Sequence, residues 1–181
     1  ISTVLAAFMG GLALGSILVG RRGDRFGNPL KVYAIIEAAI AVLALAVLLI
    51  LPALIPIYRL AWQSAGATPA VLNMLRFLLA CLVLLPPTTL MGATLPILSA
   101  HLERRGRATG SQAAGSGAGA LYAANTVGAV AGTAITGFFL LPALGMFLSA
   151  VVAAAANLIA AAAAWRLATR TASHQAMPAS D

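Results

Sequence analysis

Charged residues are scarce in this sequence. Only 8% of the 181 residues are Asp, Glu, Lys or Arg, against about 25% in an ordinary soluble domain. The hydrophobic share is 61% and the mean hydropathy is +0.99, which is more apolar surface than a water-soluble fold can hide. The alternating polar positions of a transmembrane β-barrel are also missing. The composition therefore predicts an all-α, polytopic bundle of transmembrane helices that packs in the lipid bilayer.

The side chains that usually carry chemistry are also few. The chain has four acidic residues, two histidines and one cysteine. They form no Ser-His-Asp arrangement, no carboxylate pair and no set of ligands at metal spacing. We therefore expect no catalytic residue, no metal site and no cofactor in this chain. Whether the parent protein is an enzyme stays open at this point.

The basic residues are grouped between apolar runs. The net charge is +7, but the cations sit in short connecting segments, so nucleic-acid binding is a poor explanation for them. Nine of the eleven fall on one side of the predicted bundle: Arg21, Arg22, Arg25, Lys31, Arg104, Arg105, Arg107, Arg166 and Arg170. By the positive-inside rule, we expect a bacterial inner-membrane protein with these loops in the cytoplasm.

Five apolar runs have the length of about 20 residues that a transmembrane helix needs. They predict spans at 2–20, 32–52, 73–98, 119–142 and 147–165, with a tight turn near Pro142 and Gly145. These spans define a transmembrane domain over 1–165, followed by a polar cytoplasmic tail or linker at 166–181. With five crossings, Ile1 would lie outside, so we expect one further helix before it and six in the parent protein.

Proline patterns predict two irregular regions. The segment 53–72 contains several prolines and is not expected to form one regular helix. Within the third span, Pro86, Pro87 and Pro96 predict a kink or break near mid-depth, and discontinuous helices often mark transporter binding sites.

Glycine spacing is shared by the first and fourth spans. Gly11, Gly15 and Gly20 recur 117 residues later as Gly128, Gly132 and Gly137. The first pair in each set forms a GxxxG pattern, which predicts close helix packing. The two spans run in opposite directions, so the match also fits an inverted repeat of three plus three helices. The alternative is coincidence between helices that are rich in glycine and alanine.

A few polar side chains inside the spans are candidates for solute binding or ion coupling. Glu37 is the acidic residue at membrane depth, and such a group is a functional hypothesis by default. A structural ion pair or hydrogen bond is the alternative for it. The other candidates are Tyr33, Thr88, Thr89, Tyr122 and Asn125. For Tyr122 and Asn125 the alternative is interhelical hydrogen bonding, and for the two threonines it is a proline kink that serves no substrate.

The first basic loop carries a recognisable motif. Gly20-Arg-Arg-Gly-Asp24-Arg25-Phe-Gly27 fits the G-x-x-x-D-R-x-G signature between the second and third helices of major facilitator transporters. The resemblance implies that Asp24 and Arg25 latch one conformation of the bundle. Asn28 and Pro29 follow where that family usually has a basic residue, which weakens the expected latch. A plain positive-inside hairpin loop is the alternative.

Three longer strings resemble the membrane region of the fused major-facilitator/spermidine-synthase-like proteins of bacteria. They are Ser2–Ser16 (STVLAAFMGGLALGS), Pro86–Pro96 (PPTTLMGATLP) and Leu121–Val130 (LYAANTVGAV). The resemblance implies a major-facilitator-like half that anchors a Rossmann-like domain, which would transfer an aminopropyl group from decarboxylated S-adenosylmethionine. No residue of that domain matches here. The rival hypotheses are a half-sized transporter of a small solute, working as a homo-oligomer or with another half, and an inert anchor.

Overall fold

The computed structural model describes residues 2–21, 26–64, 68–109 and 114–175. Helices make up nearly all of these residues, and no strand occurs among them, so the all-α prediction is confirmed there. The helices are α1 (Ser2–Gly20), α2 (Pro29–Ser64), α3 (Pro69–Thr109), α4 (Ala114–Ile135) and α5 (Leu141–Gln175), and a π-helical segment, Thr136–Leu140, joins α4 to α5.

Four helical stretches are long and apolar enough to cross a membrane. They are Ser2–Gly20, Pro29–Leu60, Pro69–Arg107 and Gly117–Thr171. The last stretch contains Gly145, whose φ of 72° and ψ of −179° interrupt the helical backbone. A positive φ is accessible to glycine because it has no Cβ, and this residue lies where the sequence predicts a tight turn.

Helices α2 and α3 are longer than predicted. The segment 53–72 is not one regular helix, as predicted, but most of it is helical, because α2 continues through Pro52 and Pro56 to Ser64 and α3 begins at Pro69. Pro52 and Pro56 are four residues apart and share one helix face, so the backbone hydrogen bonds they remove fall on one side only. Likewise α3 is one continuous helix across its three internal prolines, so of the predicted kink or break near mid-depth the break is absent.

The ends of the helices at the basic loops are also extended. Helix α3 reaches Thr109 and α4 starts at Ala114, so most of the polar stretch between the predicted spans 73–98 and 119–142 is helical. Helix α5 runs to Gln175, so the boundary predicted between span and tail at residue 165 lies inside a helix. The predicted helix ends followed the loss of hydrophobicity, whereas Ala, Leu, Arg and Glu all favour helix beyond the apolar run.

Small side chains form the contacts between the helices. Helix α1 packs on α3, α3 also packs on α2, and α2 packs on α5. Most core side chains are alanines, and Ile97 is the one large side chain that is fully buried among the described residues. Helix association in lipid depends on such close backbone approach, since lipid tails are as apolar as Leu. Helix α4 packs mainly on α3 and exposes most of its length.

Candidate functional site

Helices α1 and α3 cross in close backbone contact. A Cβ atom added to Gly11 would collide with the Thr88 side chain, 2.8 Å from its Cβ, and one added to Gly15 would lie 2.8 Å from the Thr89 carbonyl carbon. From the other side, a Cβ on Gly92 would lie 2.8 Å from the Leu12 Cα. The two backbones therefore touch where the sequence has no room for side chains.

Thr88 and Thr89 belong to this crossing. Thr88 is 3% exposed, and its hydroxyl donates to the carbonyls of Leu84 at 2.7 Å and Leu85 at 3.3 Å within α3. Thr89 contributes its backbone carbonyl to the contact with Gly15. The structure thus places both predicted candidates in the packing of α1 against α3.

A cavity of about 670 Å³ opens beside this crossing, between α4 and the other helices. We call it the Glu37 cavity. Polar side chains of all five helices line it: Ser16, Glu37, Thr94, Tyr122, Asn125 and Asn157. The remaining lining residues are Phe8, Leu12, Ile40, Met91, Gly92, Leu95, Pro96 and Ala129. A concave, largely apolar site with a few convergent polar groups is the usual form of a small-molecule site.

Glu37 is the charged residue of this cavity. It is 8% exposed and lies eight residues after Pro29, so its Cα is about 12 Å along α2 from the basic end of the bundle. Tyr33, one helical turn earlier on α2, is the polar side chain that interacts with the Glu37 carboxylate. No Lys or Arg among the described residues forms an ion pair with Glu37. The structure therefore brings together three predicted candidates, Glu37, Tyr122 and Asn125, with Tyr33 behind them.

The backbone also contributes to this cavity. Pro96 has no N–H, so the Gly92 carbonyl, four residues earlier, has no α-helical donor. Both residues line the Glu37 cavity. A proline of the third span therefore frees the carbonyl of a residue on the cavity wall, although α3 does not break.

Three lining residues are not among the predicted site residues. Ser16 and Thr94 lie in runs that are otherwise apolar, and Asn157 lies in the alanine-rich α5. An isolated polar residue in a membrane helix was the available signal, but such residues serve packing as often as binding. Only the helix arrangement separates the two roles.

The remaining predicted residues lie away from the cavity. Gly128 and Gly132 on α4 have nothing within 4 Å of an added Cβ, so the structure does not place another helix on them. Asp24 and Arg25 lie outside the described residues. The part of their loop that is described is held by α3, because the Arg104 guanidinium donates to the carbonyl oxygens of Phe26 and Gly27.

Two further contacts join the helices at opposite ends of α2. At the basic end, Lys31 lies 5.7 Å from the centre of the Trp165 ring on α5. At the other end, Arg76 on α3 donates from its Nε to the Tyr58 hydroxyl at 2.9 Å and lies over the same ring. Within the described ranges, no three His, Cys, Asp or Glu side chains come together at a metal-binding distance.

Comparison with known protein families, curated proteins and solved structures finds no match for this chain. The resemblance to the spermidine-synthase-like proteins therefore stays a prediction. The three strings that carry it nevertheless share one place in the fold. Apart from Glu37, Ile40 and Asn157, every residue that lines the Glu37 cavity belongs to one of those strings.

Proposed function

We propose that this chain is a transmembrane helix bundle that binds a small polar solute in the Glu37 cavity and carries it across the bilayer. The observation that supports this function is the convergence of polar side chains from all five helices on one cavity. A polar group on a lipid-facing surface gains nothing, whereas one inside the bundle can contact a solute. Solute sites of transporters are built in this way, between helices and within the membrane.

The proposal includes five crossings of the bacterial inner membrane, with the basic end in the cytoplasm. The stretch Gly117–Thr171 supports it, because 55 residues in one helix would measure about 80 Å. The hydrocarbon core is about 30 Å thick, so this stretch is long enough for two crossings. The backbone of Gly145 is the place where they would separate. A sixth helix in the parent protein would complete a major-facilitator-like half.

The experiment that tests this function measures whether the cavity is open to water. Asn125→Cys is made in a Cys81→Ala background, and small hydrophilic thiol reagents are added from either side of oriented membrane vesicles. Val127→Cys is the matched control, because Val127 is on the same helix, is 67% exposed and does not line the cavity. A thiol in lipid stays protonated and unreactive.

Three outcomes decide the matter. Modification of the Asn125→Cys variant from both sides, with no modification of the Val127→Cys variant, supports a carrier. Modification from one side only leaves a binding site and argues against transport. If Asn125→Cys is modified from neither side, the solute site is overturned, and an inert anchor explains the bundle better.

A second function is favoured by the shared location of the three strings. We propose that the chain is also the membrane region of a spermidine-synthase-like protein and anchors an aminopropyltransferase domain. Strings that resemble one family and also enclose one cavity indicate a shared site, since packing alone would distribute them over the bundle. The reading frame of the parent DNA on both sides of Ile1 and Asp181 tests this. A downstream domain with a glycine-rich turn and paired acids supports it, and a stop codon directly after Asp181 contradicts it.

A further inference from the structure

We propose that the Glu37 cavity selects an alkylammonium ion with a single positive charge. This inference deepens the proposed function and rests on it. Glu37 is the one ionisable acid on the cavity wall, and the lining contains no Lys, Arg or His. The formal charge of the cavity wall is therefore −1 when Glu37 is ionised. A cation is the solute class that complements this wall.

The surroundings of Glu37 leave its charge unbalanced. The residue is 8% exposed, its polar neighbour on α2 is the uncharged Tyr33, and no Lys or Arg among the described residues forms an ion pair with it. An ionised carboxylate inside an apolar bundle is costly unless an opposite charge is close. A bound ammonium group supplies that charge. Because the other lining residues are neutral, a second positive charge on the solute would remain without a partner.

The neutral lining residues fit the rest of such a solute. An ammonium group has three N–H donors. Besides Glu37, the Gly92 carbonyl and the side-chain oxygens of Asn125 and Asn157 can accept them. The ring of Phe8 offers a π face, which attracts a cation from close range.

An alkyl chain suits the apolar part of the wall. The side chains of Leu12, Ile40, Met91 and Leu95 line the same cavity. They offer contact to methylene groups and no hydrogen bonds, so they favour an alkyl chain over a sugar or an amino acid. The volume of about 670 Å³ is ample for a four-carbon chain with its charged head.

Binding to the whole chain in lipid nanodiscs tests this selectivity. The probe is radiolabelled n-butylammonium, and the competitors are n-butanol, butyrate and butane-1,4-diammonium. We expect saturable binding that unlabelled butylammonium displaces at a concentration at least tenfold below that of the other three. Equal competition by butanol would show that the positive charge does not contribute to binding, which would overturn the proposal. Stronger competition by butyrate or by the diammonium would overturn it as well.

The variants assign the effect to one carboxylate. Glu37→Gln should weaken butylammonium binding at least tenfold. Glu103→Gln is the matched control, because it removes an exposed carboxylate on α3 that pairs with Arg107 at 3.4 Å outside the cavity. The Glu103→Gln variant should bind butylammonium as tightly as the unchanged chain. An equal loss in both variants would contradict a role for Glu37 in the cavity.

A second measurement covers the case in which Glu37→Gln does not fold. The Asn125→Cys variant is treated with thiosulfonate reagents that carry either a trimethylammonium or a sulfonate group. For each reagent, the rate with Asn125→Cys is divided by its rate with a free thiol in solution. With Glu37 in place, we expect this relative rate to be at least fivefold higher for the cationic reagent than for the anionic one. Equal relative rates would overturn the cation selectivity and leave the solute site standing, whereas no reaction with either reagent would overturn the solute site itself.

Discussion

Helices α1 and α4 have the same glycine spacing but different surroundings. On α1, Gly11 and Gly15 lie against the backbone and side chains of α3, and an added Cβ has no room. On α4, Gly128 and Gly132 have open space where a Cβ would be. A GxxxG pattern thus permits close approach of another helix backbone, but the approach occurs only where the other helix has a complementary surface.

The complementary surface is supplied by α3. Where α1 crosses it, α3 presents Thr88, Thr89, Gly92 and Ala93, which are all small. Helix α4 meets α3 elsewhere, through Gly117 and the Leu102 side chain, 3.1 Å from an added Cβ. Its more distant glycines are therefore left uncovered, while Tyr122 and Asn125 face the Glu37 cavity. The glycines of α1 pack against α3, whereas the polar side chains of α4 line the cavity.

The largest expected effect is that of Gly15→Ala. Its methyl group would lie 2.8 Å from the Thr89 carbonyl carbon and closer still to the carbonyl oxygen. A backbone group cannot rotate away, so the two helices must separate. We expect a loss of about 3 kcal/mol in the free energy of unfolding, measured as a lowered thermal midpoint in a fixed detergent.

Gly132→Ala is the matched control for this effect. The residue occupies the equivalent place in the spacing on α4, and its added methyl group meets nothing within 4 Å. Its effect on stability should stay within about 0.5 kcal/mol, as for an ordinary exposed substitution. Equal destabilisation by the two variants would show that another helix covers α4, and that the two glycine pairs are equivalent after all.

A double variant sharpens the comparison within α1. The methyl group of Gly11→Ala would meet the Thr88 hydroxyl and Cβ, which belong to a side chain and not to the backbone. Removal of the hydroxyl in Thr88→Ala should therefore restore part of the stability lost in Gly11→Ala, by about 1 kcal/mol in a double-mutant cycle. Thr89→Ala should restore nothing to Gly15→Ala, because there the collision is with the backbone. Additive effects in the first pair would contradict the observed crossing.

The composition alone was sufficient to predict an all-helical chain with helices long and apolar enough to cross a membrane, because an apolar run has few ways to satisfy its backbone in lipid. Helix ends were predicted less well. Pro52 and Pro56 indicated an end to the second helix, yet the helix continues to Ser64, since a proline removes one hydrogen bond while the remaining bonds persist around it.

The candidate site was predicted in part. Glu37, Tyr122 and Asn125 stood out because polar groups are expensive in an apolar helix, and they do meet in one cavity. Thr88 stood out for the same reason but lies in the α1 crossing. A residue's polarity and its position along an apolar run can be read from the sequence. Which face of a helix points to the cavity depends on tertiary packing, such as that of Gly11 and Gly15 against α3.

The smallest expected effect concerns the end of the α1–α3 pair, where Arg104 holds the loop after α1. Its guanidinium donates to the carbonyls of Phe26 and Gly27, and Arg104→Ala would remove both donors. A net loss of about 1 kcal/mol would increase local opening about fivefold. Tryptic cleavage after Arg21, followed by mass spectrometry in detergent, should accelerate accordingly.

Arg107→Ala is the control for this prediction. It removes one tryptic site and one positive charge from the same end of α3, and its side chain pairs with Glu103 and is 71% exposed. Because the Arg107 side chain pairs with Glu103 and not with the described part of the loop, cleavage after Arg21 should proceed at the unchanged rate in that variant. If both variants accelerate cleavage equally, charge at the basic end governs the loop, and the Arg104 hydrogen bonds do not couple it to α3. If only Arg104→Ala does, the loop that carries Asp24 and Arg25 follows the movements of α3, the helix that also forms one wall of the Glu37 cavity.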